Sequence, residues 1–197
     1  MEDLSFGAAY QSKIYMSKFE RYAGLFAQAG DFDVPANWQA AFAFTSGDWK
    51  FLFDVKQIFC SDVKSIANPM LPNLQTALLG QEEGAGFGWK DILVFKYSVM
   101  YSGFCGWDLM AGYSIGQNPA TADNVMFNIL APGVIQNQVT FGFSTDIAKN
   151  HEISVAFMYA FENTVEGPNA LEAPNQQTIE IGMKQWQVEV GYAFSSF

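Results

Sequence analysis

Four places in this 197-residue chain carry residue types that could do chemistry. Gly112-Tyr113-Ser114-Ile115-Gly116 has the spacing of a nucleophile elbow, in which the serine sits on a sharp strand-to-helix turn. Here the motif lies inside an alternating apolar and polar stretch and runs into Gln117-Asn118-Pro119. Small glycines on a strand face account for it better. Ser61-Asp62-Val63-Lys64 has S-x-x-K spacing, but neither a K-T-G nor an S-D-N partner follows. His151 is the single histidine, at a predicted short turn where a solvated ring is expected; a serine hydrolase needs it beside a serine in a pocket. Gln81-Glu82-Glu83 reads as a wet loop tip with too few ligands for calcium. No His, Cys and acid spacing matches a metal site. Cys60 and Cys105 lie 45 residues apart and could pair only in an oxidising compartment. The expectation is a protein that is not an enzyme and carries no cofactor.

Composition says what kind of scaffold is left. Aromatic residues make up 16% of the chain and charged residues 15%, against about 25% charged in an average soluble domain. An apolar share of 50% excludes disorder. Twenty acids against ten bases give a net charge of −10, which excludes a phosphate-binding surface, so no nucleic acid is expected as a partner. No apolar run is long enough for a transmembrane helix. A membrane β-barrel has this composition, because half of each strand faces lipid and half faces water. The opening Met1-Glu2-Asp3-Leu4-Ser5-Phe6 has neither the basic segment nor the apolar core of a signal peptide, so the start is expected to be truncated.

Period-two alternation dominates the chain. The odd residues of four segments form one set: Leu93 to Tyr101, Trp107 to Ile115, Val139 to Ile147 and Ile153 to Phe161. All are apolar or aromatic except Thr145. The even residues between them include Lys96, Ser98, Asp108, Ser114, Gln138, Thr140, Ser144, Asp146, Glu152 and Ser154. A helical period of 3.6 would scramble the two sets. Leu4 to Tyr10, Trp38 to Phe44, Trp49 to Val55 and Ile179 to Phe194 add four strands, eight in all. A parity jump between Met183 and Trp186 is read as a β-bulge in the last strand.

The connections alternate. Short turns are predicted at Thr45-Ser46-Gly47-Asp48, 102–106 and 146–150, and long ones at 16–31, 61–88, 117–135 and 163–177. Outer-membrane barrels show that pattern, with short periplasmic turns and long external loops. Phe44 with Trp49, and Tyr101 with Trp107, flank short turns as an interfacial aromatic girdle would. The long loops are apolar and predict short helices. Ser17 and Glu20 have capping-box spacing before Phe19, Tyr22, Ala23, Phe26 and Ala27. Asn68 to Gly80 places Met70, Leu71, Leu74, Ala77 and Leu78 on one face, and Thr121 to Leu130 places Val125, Met126, Ile129 and Leu130. Two readings stay open: packing over the barrel mouth, or an external groove that captures an apolar ligand. On the second, Phe19, Tyr22, Phe26, Leu74 and Leu78 are the candidate capture residues. Ile92, Val94, Lys96, Met100, Met110 and Met158 fall on the opposite, lumen-facing parity. Thioethers suit an irregular apolar ligand, whereas in a narrow barrel the same residues would fill the interior.

The segments Gly86-Phe87-Gly88-Trp89-Lys90-Asp91, Ala111-Gly112-Tyr113-Ser114 and Phe127 to Val134 resemble the long-chain fatty-acid transporter family of bacterial outer membranes (FadL, OmpP1, TodX). Tyr159-Ala160-Phe161, Val165 to Asn169 and Glu189 to Phe194 resemble that family's last strands. The resemblance implies a fourteen-stranded barrel with an N-terminal plug and an apolar external groove. Residues 1–197 would be one partial domain of it, the C-terminal part, with plug and first strands absent. It also implies a fatty acid or other hydrophobic small molecule as ligand. Outer-membrane lipid, lipopolysaccharide and the barrel-assembly machinery would be the other partners. Lys90 and Lys96 are candidates for a carboxylate on charge alone, and Lys90 equally for snorkelling to headgroups. Phe194 keeps the strand alternation, and Ser195-Ser196-Phe197 departs from it where a terminal aromatic signal is usual.

The expected fold is therefore an all-β, antiparallel transmembrane barrel segment of about eight strands with short helices in its long loops. The expected function is passive transport of hydrophobic molecules across the outer membrane of a Gram-negative cell, a porin-like role with an apolar entrance. A small, closed eight-stranded outer-membrane barrel, structural or lipid-modifying, is the alternative.

Overall fold

The computed structural model describes residues 3–18, 20–172 and 177–195, without the side chain of Tyr22. Eight strands form one antiparallel sheet in chain order: β1 (Asp3–Gln11), β2 (Asn37–Ser46), β3 (Trp49–Ile58), β4 (Ile92–Phe104), β5 (Trp107–Gly116), β6 (Asn137–Ala148), β7 (His151–Pro168) and β8 (Thr178–Phe194). Each pairs with the next, and β1 and β8 are the two edges of an open sheet. A closed eight-stranded barrel requires β1 to pair with β8, which this sheet does not show. Two-residue turns join β2 to β3, β4 to β5 and β6 to β7. At the second, Cys105 and Gly106 both have positive φ, 49° and 83°, the geometry that matches the twist of a tight hairpin.

Directly opposed residues of neighbouring strands share a face, so the register decides which side chains meet. One row crosses all eight strands: Phe6, Phe42, Phe53, Tyr97, Tyr113, Val139, Tyr159 and Trp186. Seven of its eight members are aromatic. The row beside it, on the other face, reads Gly7, Ala41, Asp54, Lys96, Ser114, Gln138, Ala160 and Gln185. The period-two pattern of eight separate segments is thus one continuous aromatic surface. Its large side chains stand out from the sheet, with Phe6 77% and Trp186 69% exposed. A water-soluble ligand-binding barrel would show the reverse arrangement. Near the hairpin turns the predicted girdle is formed: Trp49 lies 4.6 Å from Tyr101 and Trp107 5.3 Å from Phe143, centroid to centroid. His151 joins it rather than standing in solvent. Its Nδ1 is 2.6 Å from the Tyr192 hydroxyl, and its ring lies 4.9 Å from Phe194.

The bulge is on a different strand from the one expected. Ala160 pairs with Gln185 and Asn163 with Met183, leaving Phe161 and Glu162 opposite Lys184 alone. The extra residue therefore belongs to β7, and β8 keeps one parity from end to end. Ile179, Ile181 and Met183 consequently lie on the inner face with Gln185, not on the aromatic face. They look apolar because the chain segment 120–134 covers them: Ala120, Val125, Val134 and Ile181 form a buried cluster with Val165, Ile179 and Met183 against it. The same hairpin makes the fourth connection short, since β7 continues to Pro168 where a loop from 163 was expected.

That segment belongs to a cap in which most of the enclosed residues lie. Phe26, Ala27, Ala36, Cys60, Val63, Met70, Ala85, Phe87, Ala120, Val125 and Val134 are buried in connections; among described strand residues only Ala160 and Ile181 are buried apolar positions. The short helices expected in the loops are single turns at Asn73–Thr76 and Val125–Asn128, and a further turn stands at Lys64–Ala67. The stretch from Ser17 is not a helix. It holds a 3-10 turn at Glu20–Tyr22 and a tight bend at Ala27–Gly30, where Gln28 and Ala29 have φ of 54° and 58°. Short turns suffice because cross-links, not helix length, hold the cap together.

Candidate functional site

The cap is tied by two buried asparagines. Asn124 accepts the Met70 N–H at 2.7 Å and donates to Thr121 Oγ1 at 2.7 Å. Asn128, fully buried, donates to the Phe87 and Asn124 carbonyls, both at 2.9 Å, and accepts the Trp89 indole N–H at 2.5 Å. Two connections, β3–β4 and β5–β6, are thereby joined at one point. Gly88 explains part of the Gly-Phe-Gly-Trp run: its φ is +68°, and a Cβ there would lie 2.3 Å from the Asn124 side chain. Around this hub sits an aromatic cluster. Phe26 lies 5.0 Å from both Phe32 and Phe87 and 6.2 Å from Phe127, and Phe87 lies 5.8 Å from Trp89.

The capture residues expected from sequence separate here. Phe19 and the side chain of Tyr22 lie outside the described residues. Phe26 is 8% exposed and packs inside the aromatic cluster of the cap. Leu74 is half-buried on the turn Asn73–Thr76. Leu78 is 73% exposed, and Leu79, Ile129 and Leu130 are exposed as well. Sequence periodicity could not tell a loop residue facing outwards from one facing inwards, because both are apolar at helical spacing.

Charges around the cap are paired. Lys64 lies 2.8 Å from Glu82 and 2.6 Å from Glu83, whose side chains are 69% and 71% exposed, so the loop tip is solvated as expected and its two acids also pair with a helical turn. Those hydrogen bonds raise the Lys64 pKa, and the same bond and charge lower that of Glu82. Lys13 lies 3.0 Å from the buried Asp33, which also accepts the Met16 N–H at 2.8 Å. Burial opposes ionisation of Asp33, but the Met16 N–H and Lys13 outweigh it and hold the carboxyl below its ordinary value. Asp31 is pushed the other way, by burial first and then by the hydrogen bond and charge of Asp33. Burial, with Asp91 nearby, raises the Cys60 thiol to about 11, an unreactive state. Cys60 is at the cap end of β3, whereas Cys105 is exposed in the β4–β5 hairpin turn. β4, 13 residues long, separates those two ends by on the order of 40 Å, and both thiols are free.

Ile92, Val94, Lys96, Met100, Met110 and Met158 all fall on the inner face of the sheet. Only some are brought together. Met100 opposes Met110 directly, and both line a shallow hollow of about 370 Å³ with Lys50, Leu52, Thr140 and Ala156. Met158 opposes Thr140 one row nearer the cap. Ile92 and Val94 lie at the cap end of β4, opposite Ile58 and Lys56. Lys96 faces Asp54 across β3 and β4. The inner-face residues of β3, Lys50, Leu52 and Asp54, were not among the candidates; the parity of the segment from Trp49 could have found them. Ser114 sits mid-strand between Lys96 and Gln138, so no elbow presents it. Among the described residues no group of three or more His, Cys, Asp or Glu side chains could hold a metal ion, and no helix is long and apolar enough to cross a membrane.

No protein-family model and no curated protein matches the chain. Solved structures do. The toluene transporter TodX of P. putida superposes with a TM-score of 0.58 at 17% identity, over 85% of this chain and 36% of that one. A FadL homologue of Pseudomonas aeruginosa superposes with a TM-score of 0.63 at 14% identity, over 96% of this chain and 48% of that one. A TodX variant described as a monoaromatic hydrocarbon channel gives 0.56 at 20% identity, over 84% and 37%. The chain thus spans less than half the length of each of these structures. The open antiparallel sheet with one aromatic face, joined by tight hairpins at one end and capped by loops at the other, thus shares the fold of part of the TodX and FadL-homologue structures.

Proposed function

We propose that this chain forms part of a multi-pass outer-membrane channel that passes long-chain fatty acids or other hydrophobic small molecules by passive diffusion. One observation carries the reading: the wall has two unlike faces. A continuous aromatic row stands on one side, and small, thioether and scattered polar residues stand on the other. The first suits acyl chains, and the second suits a path that is neither dry core nor water-filled pore. The exposed Leu78, Leu79, Ile129 and Leu130 of the cap then desolvate the ligand at the entrance, with Leu74 on the same connection as Leu78. Met100, Met110 and Met158 receive it on the wall, together with Ile92, Val94 and Lys96. Each buried methylene contributes about 0.8 kcal/mol, so a long acyl chain can be drawn from water without any covalent step.

The test is uptake of labelled oleate and of a labelled monoaromatic hydrocarbon by cells that lack their own hydrophobic-compound channel and express the whole protein. Saturable uptake of either, reduced about tenfold by Leu78→Asp with Leu79→Asp, is the expected result. Uptake no greater than in cells with the empty vector ends the proposal.

A further inference from the structure

We propose that the inner-face hollow beside Asp54 and Lys96 binds the hydroxyl end of an apolar alcohol or phenol. This rests on the transport reading above and names the ligand class of one station on the path. Asp54 and Lys96 are directly opposed on β3 and β4, a position that puts their Cβ atoms about 5 Å apart. Both line a hollow of about 470 Å³ that also takes in Ser5 and Ser98, and whose apolar lining is Leu52 and the small Gly7, Ala41 and Ala43 together with Phe6, Phe42 and Phe53. Asp54 Oδ1 is buried and has no hydrogen-bond partner, whereas buried polar atoms are nearly always paired. Lys96 is exposed in the hollow. Lys56 stands two residues beyond Asp54 on the same face, opposite Val94.

The arrangement discriminates among end groups. A hydroxyl gives its hydrogen to Asp54 Oδ1 and accepts one from Lys96 Nζ, so both partners are satisfied. A hydrocarbon of the same shape leaves the carboxylate oxygen unpaired. An ionised carboxylate gains Lys96 but meets Asp54, a like charge, and has no hydrogen to offer it. An ammonium group gains Asp54 but meets Lys96 and Lys56. Entry requires the Lys96 side chain to swing, which its flexible four-carbon stem permits. A site built to hydrogen-bond a hydroxyl rejects the analogue lacking it more strongly than an apolar pocket separates two hydrocarbons.

The experiment measures binding of p-cresol, p-xylene and p-toluate to the whole protein purified in detergent, by titration calorimetry at pH 7. p-Cresol is expected to bind about tenfold more tightly than p-xylene, the factor for roughly one net hydrogen bond, with p-toluate weakest. Asp54→Leu and Lys96→Met should each reduce the cresol preference to within twofold. Asp54→Asn, which keeps an acceptor oxygen in a side chain of the same size and so guards against misfolding, should retain part of it. Tightest binding of p-toluate, or a cresol preference unchanged in Asp54→Leu and Lys96→Met, overturns the assignment. Uptake assays separate the two proposals: wild-type cells that take up p-cresol and p-xylene alike, with Asp54 variants unaltered, defeat the hydroxyl site and leave the channel standing. Cells that take up neither defeat the channel.

Discussion

The wall and the cap of this molecule are built on opposite principles. In the wall, aromatic side chains are spread over one face and stay exposed, and stability comes from antiparallel backbone pairing that runs across all eight strands. In the cap, backbone regularity is almost absent, and stability comes from a small enclosed core pinned by Asn124 and Asn128. The reason is the surroundings each must satisfy. Lipid accepts apolar side chains but no unpaired N–H or C=O, so the wall needs pairing and can leave its Phe and Tyr outward. Water accepts loose backbone but not exposed aromatics in quantity, so the cap folds Phe26, Phe32, Phe87, Phe127 and Trp89 together. Chain of one composition thus yields an exposed aromatic face in one place and a miniature globular core in another.

Substitution of a single phenylalanine in each region sharpens that contrast. Phe26→Ala removes the centre of the cap cluster and should cost about 3–5 kcal/mol of local stability. Hydrogen exchange should accelerate at cap amides such as Ala27 and Trp89 while the β5–β6 ladder stays protected, because the cap opens as its own unit. Accelerated exchange in neither region, or acceleration in both equally, breaks the division. In the wall, Phe141→Arg on the aromatic face should cost about 2–4 kcal/mol in urea unfolding from lipid vesicles. Thr140→Arg, one residue away on the inner face, should cost much less. Equal costs would mean that the aromatic face does not meet lipid.

The smallest effect is a pH response confined to the cap. Asp33 is held below the ordinary carboxyl value of 3.8 and Asp31 above it. A raised carboxyl stabilises the fold below its unfolded value, and this contribution is lost as pH rises through the folded value. A lowered carboxyl stabilises above its unfolded value, and this is lost as pH falls through the folded value. Protection of the Ile14 and Val34 amides, which bond each other's carbonyls at 3.0 and 2.9 Å, should therefore peak on the acid side near the ordinary carboxyl value. It should fall again as Asp33 takes up its proton and releases Lys13. A flat protection profile from pH 7 to 3 counts against the clasp.

The sheet was legible residue by residue, since a strand's period is two and Leu93 to Tyr101 already displays it. The turns were legible too, from residues such as Gly47 and Asn150 that take positive φ. The bulge was not placed correctly, because a parity jump in β8 looks the same whether the extra residue sits in β8 or in its neighbour. Only the pairing of Asn163 with Met183 resolves it. The site was less legible than the fold. Lys96 was found by charge, but Asp54 gains meaning only from standing across from it, 42 positions away in sequence. Phe26 was assigned to a ligand because a loop aromatic carries no mark of what will cover it.

By itself, the order of residues determined the alternating faces, the strand count, the hairpin ends and the aromatic character of one surface, because each depends on neighbours within a few positions. Tertiary structure alone decided that the β7–β8 extension turns Ile181 under the cap, that two asparagines tie the β3–β4 and β5–β6 connections, and that Asp54 meets Lys96. Those depend on register and on contacts across tens of residues, where the free energy lies in which segments come together and not in what any one of them prefers.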